Sequence, residues 1–259
     1  VLRALAGGRI FGEVTGEPPP RVLALHGWAR THADFAALLV SGPRGDRTGD
    51  LDGDRRPLDA VAPDLPGFGA TPAPDDPWGT PEYAALTAEL LSDMAEPVVV
   101  VGHSFGGRVA VQLAATRPEA VRGLVLTGVP LMPSPAGRRR PPPAYRVVRT
   151  LHRLGVVGDA RMEAARQRYG SADYRAAQGV MRQVLVTILA ERYDDALAAI
   201  ECPVHLVWGD DDTEVPLAVA EAAASRLGRC QLTVCAGAGH MTPLTAPGPL
   251  RRAVQELLA

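Results

Sequence analysis

Short apolar runs recur along this chain, and most are too uniform to be one face of an amphipathic element. Val98-Val99-Val100-Val101 has no polar position, as a strand covered on both faces requires. RVLALHGW (21–28), RGLVLTGV (122–129), CPVHLVWG (202–209) and CQLTVCAG (230–237) read as further strands, and AVAPDLPGFGAT (60–71) as a strand entering a glycine-rich turn. LRALA and RIFGEV flank Gly7-Gly8 and predict an N-terminal hairpin. Helical spacing falls between the strands, over 33–40, 108–115, 216–227 and 249–258. It also covers 81–94, where Thr80 is expected as the N-cap and Pro81 as the first helical residue. This alternation predicts a mostly parallel sheet with helices on both faces. From about Pro130 to Ile200 it stops, and helices are predicted over 146–154, 160–169 and 176–197. The chain therefore divides into a sheet core, 1–130 and 201–259, and a helical insertion, 131–200, expected to lie over the carboxyl ends of the strands.

Composition narrows the class. At 259 residues the chain is long enough for one large α/β domain. A net charge of −2 gives no reason to expect a nucleic-acid partner. No apolar run approaches the roughly 20 residues that span a bilayer, so no membrane partner is expected. VLRALAGGRIFGEV is interrupted by Gly and Arg too early for a signal peptide, and a cytoplasmic location is the expectation. Cys202, Cys230 and Cys235 have no metal-like spacing, so free thiols and no metal are expected. All 27 basic residues are arginine, which excludes chemistry that needs a catalytic lysine. Residues 131–200 hold 12 Arg against 6 Asp or Glu. Arg138-Arg139-Arg140 precedes Pro141-Pro142-Pro143, a stiff bend at the start of the insertion, and the charged stretch 43–59 reads as a mobile surface loop.

Candidate chemistry begins directly after the four valines. Gly102-His103-Ser104-Phe105-Gly106 has the form G-x-S-x-G between a strand and a helix, the context of a nucleophile elbow. Gly102 and Gly106 are expected where strand and helix leave no room for a Cβ. Ser104 then sits at the apex with its hydroxyl exposed above a helix N-terminus. The bland alternative is a glycine-rich turn with a solvated serine. A serine hydroxyl is a poor nucleophile unless a base is in reach and a third group orients that base. WGDDDTEVP and GAGHMTP, each directly after a strand, supply a carboxylate and a histidine.

LALHGW, APDLPGFG, GHSFGG, LVWGDDDTEVP and GAGHMTPL, in that order over residues 21–245, resemble the motifs of the α/β-hydrolase superfamily, serine-nucleophile esterase-like branch. The resemblance implies an α/β-hydrolase fold: a mostly parallel eight-stranded sheet flanked by helices, with 131–200 as a helical cap. It aligns Ser104 with the nucleophile and His240 with the general base and acid. The family spacing from Gly209 and to Pro216 selects Asp212 as the orienting acid over Asp211, its nearest rival. An oxyanion hole would take backbone N–H groups from Phe105 and, after His26-Gly27, from Trp28. Tyr145, Tyr169 and Tyr174 in the insertion are candidates for substrate contact. Asp64 and Gly67–Gly69 are expected to shape a loop behind the elbow, His103 to be a packed histidine, and His32, His152 and His205 to be structural.

Branches of the family can be weighed on the same residues. A serine at 104 argues against the dehalogenase and epoxide-hydrolase branches, which use aspartate there. Absence of Lys removes the lysine-dependent hydroxynitrile-lyase type. Met241 replaces the Trp that usually follows the histidine in C–C hydrolases, and Phe105 replaces the Met frequent in perhydrolases. The implied reaction is hydrolysis of a carboxylic ester, thioester or lactone of a small to medium molecule through an acyl-enzyme, with no cofactor. Alternatives are a C–C bond hydrolase, an acyl-transferring or cyclising biosynthetic enzyme, and, from another class, a ligand-binding receptor that retains the fold. Substrate identity and oligomeric state are not encoded in any motif.

Overall fold

The computed structural model describes residues 2–40, 56–94, 97–132 and 142–259. The Arg138–Arg140 run, Pro141 and most of the 43–59 stretch lie outside the described residues. Eight strands form a single sheet: β1 (Leu2–Leu5), β2 (Ile10–Thr15), β3 (Val22–Leu25), β4 (Ala60–Asp64), β5 (Val98–His103), β6 (Val121–Thr127), β7 (Val204–Gly209) and β8 (Cys230–Cys235). Their spatial order is β1-β2-β4-β3-β5-β6-β7-β8. The β1–β2 hairpin forms as expected, and β2 runs antiparallel to β4; every other pairing is parallel. This is the α/β-hydrolase fold.

Period-2 alternation in the buried strands distributes the core over two faces. Leu23, Val98, Val100, Leu124, Leu126 and Trp208 point to one face. There they meet α2 (Thr80–Leu91), α3 (Phe105–Thr116) and α9 (Leu217–Ala224). Val22, Ala24, Val99, Val101, Val125 and Val207 point to the other, covered by α1 (Ala36–Leu39) and α11 (Pro247–Leu258). All four valines of 98–101 are buried, which explains a run with no polar position. The short α10 (Thr242–Thr245) leads into α11.

Between β6 and β7 come α4 (Pro143–Arg153), α5 (Asp159–Tyr169), α6 (Ala172–Ala176), α7 (Gly179–Ala190) and α8 (Asp194–Ala198), with no strand among the described residues. The single helix expected over 176–197 is thus three pieces. Gln178 is extended (φ −129°, ψ 161°) and breaks the chain before α7. After α7, Glu191 is extended (φ −64°, ψ 154°). Its carboxylate accepts the Thr80 N–H at 2.8 Å and the Thr80 hydroxyl at 2.6 Å. Those bonds also displace the expected cap of α2: the Thr80 hydroxyl is engaged by Glu191, Gly79 takes the N-cap position, and Glu82 accepts the Gly79 N–H at 2.8 Å. A long-range ion–dipole contact has overridden a local capping preference. The same end of the insertion is tied to the core by Arg108 of α3, whose Nη1 donates to the Ile188 carbonyl at 2.5 Å.

The strand-to-helix joint at 102–107 packs backbone directly against backbone. A Cβ on Gly106 would lie 2.1 Å from the Leu25 carbonyl oxygen, and one on Gly102 2.4 Å from the Gly107 Cα. Both obstacles are backbone, so neither yields by rotamer change. Gly106→Ala is therefore expected to cost about 1–3 kcal/mol. In urea unfolding the midpoint falls while the m-value holds; an unchanged midpoint would contradict the close approach.

Candidate active site

Ser104 occupies the apex of that joint with φ +48° and ψ −110°, a backbone region that costs a non-glycine residue about 1–3 kcal/mol. It is held there from both sides. The Ser104 N–H donates to the Thr127 carbonyl on β6 at 3.0 Å, and the Gly106 N–H donates to the His26 carbonyl after β3 at 3.0 Å. α3 begins at Phe105. The Phe105 N–H, one of the first-turn groups that a helix cannot satisfy internally, meets no acceptor among the described residues.

Trp28 lies in a tight turn after β3, closed by the Arg30 N–H to the Gly27 carbonyl at 3.2 Å, with Ala29 at φ +54°. Its own backbone N–H has no acceptor among the described residues. The Trp28 ring packs edge-on against Phe68 (4.9 Å) and Phe105 (5.7 Å), and Phe105 against Tyr83 (5.0 Å). Aromatic contacts thus pack Trp28 against Phe105, the residue after Ser104. His26 braces the turn from below: its Nδ1–H donates to the Gly27 carbonyl at 2.7 Å and its Nε2 accepts the Leu65 N–H at 2.9 Å. Burial pushes the His26 imidazole down to about 4, so it is neutral and both hydrogen bonds persist across ordinary pH.

Asp212 and His240 come together from loops after β7 and β8. The His240 Nδ1–H donates to Asp212 Oδ2 at 2.8 Å. Asp212 Oδ1 accepts the Glu214 and Val215 N–H groups at 2.9 and 2.8 Å. Both carboxylate oxygens are engaged, and the side chain is 1% exposed. The loop is pinned by Trp208, fully buried on β7, whose Nε1–H donates to the Val215 carbonyl at 2.9 Å. Asp211 is exposed, and Asp210 accepts the Gly237 N–H at 2.7 Å. Of the three adjacent aspartates, Asp212 is the one bonded to His240.

His240 is brought to the elbow by its neighbours. A Cβ on Gly128, one residue past β6, would lie 2.9 Å from the His240 Cε1. His103, next to Ser104, donates from Nε2 to the His240 carbonyl at 3.0 Å, and the two rings lie 5.0 Å apart. No hydrogen bond joins Ser104 to His240 among the described residues; such contacts are often long before substrate is bound. The two histidines have opposite electrostatics. Burial, aided by the charge of His240, lowers His103 to about 4. Burial also acts against the charged form of His240, but the Asp212 hydrogen bond and charge, with Glu214 and Asp173 behind them, raise it overall.

Asp64 does shape the loop: it accepts the His32 N–H (2.9 Å), His32 Nδ1 (2.7 Å) and the Ala70 N–H (2.9 Å), so His32 has a partner that sequence did not reveal. Tyr145 and Tyr169 contact each other at 6.2 Å, and Tyr174 donates to Glu163 at 2.8 Å beneath Arg182. No bond or ring contact joins these three tyrosines to Ser104, Asp212 or His240 among the described residues. Spacing alone assigns no role to the side chains of His26, Trp208 and Glu214. All three stand inside motifs read for other residues, and their partners lie in loops.

A family model for the Alpha/beta hydrolase family matches residues 22–253, and the chain belongs to that family. It is 29% identical over 251 residues to a pimeloyl-[acyl-carrier protein] methyl ester esterase of Aromatoleum aromaticum, covering 88% of this chain and 94% of that protein. It is 30% identical over 203 residues to a poly(3-hydroxyalkanoate) depolymerase of Ectopseudomonas oleovorans, covering 73% and 70%. Among solved structures, a thermophilic esterase from Thermogutta terrifontis shares the fold at a TM-score of 0.64, with 24% identity and coverage of 100% and 97%. No described helix is long and apolar enough to cross a membrane.

The raised affinity of His240 for a proton is open to direct measurement. Its ring resonances should titrate above 6.5, and Asp212→Asn should move the titration to lower pH by removing the main group that favours the imidazolium. A titration unaffected by that change would show that Asp212 does not govern His240.

Proposed function

We propose that the protein is a carboxylesterase-like serine hydrolase that cleaves a small to medium ester, thioester or lactone through an acyl-enzyme. Support comes first from one observation: the 2.8 Å bond from His240 to a doubly anchored, buried Asp212, beside a serine held at positive φ. Family membership and esterase-like relatives agree with it.

In this reading Ser104 Oγ attacks the acyl carbon while its proton passes to His240 Nε2. Asp212 holds the ring with Nδ1 protonated, which leaves Nε2 as the base, and stabilises the imidazolium that forms. The carbonyl oxygen becomes an oxyanion facing the Phe105 and Trp28 N–H groups, for which no acceptor competes among the described residues. Collapse breaks the bond to the leaving group, which takes the proton from His240. Water then repeats the sequence, losing its proton to His240 as its oxygen bonds to the acyl carbon. Ser104 is released with that proton and the acid departs. The route uses no metal or cofactor. Helices α4–α8 serve as a cap over the site, with the substrate's acyl or alcohol part held beneath them.

Ser104→Ala should abolish hydrolysis of p-nitrophenyl butyrate, and Asp212→Asn should lower kcat by about three to four orders of magnitude with the fold retained by circular dichroism. Asp211→Asn should leave most of the rate. Turnover that survives Ser104→Ala would refute the assignment. Stoichiometric ligand binding without turnover of any short ester would mark a receptor instead.

A further inference from the structure

Glu214 stands two residues beyond Asp212 and faces the opposite edge of the same imidazole. Its Oε2 lies 3.7 Å from His240 Nε2, the nitrogen that serves as base in the proposed mechanism, and its side chain is 69% exposed. Asp212 therefore is not the histidine's only carboxylate; one holds Nδ1 from within the protein, and a second meets Nε2 from the solvent side. Glu214 also lines a cleft of about 490 Å³ together with Arg108, Leu131, Met132, Tyr193 and Val215. Asp173, at the start of α6, adds a further negative charge felt by His240. Two arginines line the same cleft: Arg192 pairs with Asp194, while Arg108, buried against the Tyr193 ring and the Ile188 carbonyl, keeps its positive charge, so the carboxylate of Glu214 acts locally, at the His240 edge that it faces.

We propose that Glu214 is a specificity-determining residue that makes this site select esters without a free carboxylate, uncharged or cationic, and that helps to expel the acid product. The inference rests on the hydrolase reading above. Any substrate atom in contact with His240 Nε2 lies within a Debye length, about 10 Å, of the Glu214 carboxylate, so salt at ordinary strength does not erase the interaction. A second negative charge on the substrate is repelled as it binds. The product is repelled only once it forms, because hydrolysis of a neutral ester creates a carboxylate where there was none. Glu214 neither gives nor takes a proton in this scheme. At 69% exposure its field is worth a modest factor rather than an absolute barrier.

The test compares diethyl glutarate with monoethyl glutarate, which differ by one charge remote from the ester, by release of ethanol from the wild-type protein and from Glu214→Gln. The wild type should prefer the diester, and Glu214→Gln should reduce that preference in kcat/KM by about threefold to tenfold, the size of one like-charge pair across a partly hydrated gap of several ångströms. Inhibition by glutarate should strengthen in the variant by a similar factor, and 0.5 M NaCl should narrow the wild-type preference. A preference identical in the two proteins, with ethanol release still abolished by Ser104→Ala, would overturn the role of Glu214 while sparing the hydrolase reading. Ethanol release that survives Ser104→Ala would overturn both.

Discussion

A serine pinned at φ +48° between a fully buried strand and the first turn of a helix cannot relax without moving one of them. Everything proposed for this protein depends on that constraint. The strand end is locked by the bond from the Ser104 amide to Thr127 on the neighbouring β6. The helix start is locked against β3, where Gly106 rests on the Leu25 carbonyl and bonds the His26 carbonyl. Three adjacent parallel strands thus share one joint. The backbone strain at Ser104 is balanced by the surrounding packing, and the result is a hydroxyl and a helix-terminal amide, without an acceptor among the described residues, at the same edge of the sheet.

The remaining groups take their positions from the same edge. Trp28 follows β3, His103 ends β5, Gly128 follows β6, and the loops after β7 and β8 carry Asp212 and His240. Parallel pairing from β4 to β8 is what brings these carboxyl-terminal ends together. Environment then separates two histidines whose rings are 5.0 Å apart. His103 is kept neutral by burial, so its one donor serves the His240 carbonyl. His240 is turned toward the protonated form by carboxylates on both edges. Pairs of titratable groups driven apart in this way are a common mark of acid–base chemistry.

Much of this was legible in the chain itself. The valine run and the other β-rich segments disclose buried parallel strands because both their faces are covered, and the two elbow glycines are required wherever a helix starts this close to a strand. What escaped was set by partners distant in sequence. Thr80 carries a good capping side chain, yet Glu191, more than a hundred residues on, claims it. The helical spacing across 176–197 is continuous, but Glu191 leaves the helix to make that contact. His32 has no motif because its partner Asp64 sits at the end of β4. Glu214 is visible in the acid-loop motif, but its approach to His240 is a matter of side-chain direction, which spacing does not encode.

Activation of the elbow serine by the Asp212–His240 pair carries the proposed chemistry. Phosphonylation with a p-nitrophenyl alkylphosphonate, followed by peptide mass mapping, tests it most directly. One equivalent of p-nitrophenolate should be released with a single adduct on Ser104, formed orders of magnitude more slowly in Asp212→Asn. A protein left unmodified, or modified at another residue with Ser104 free, would contradict it.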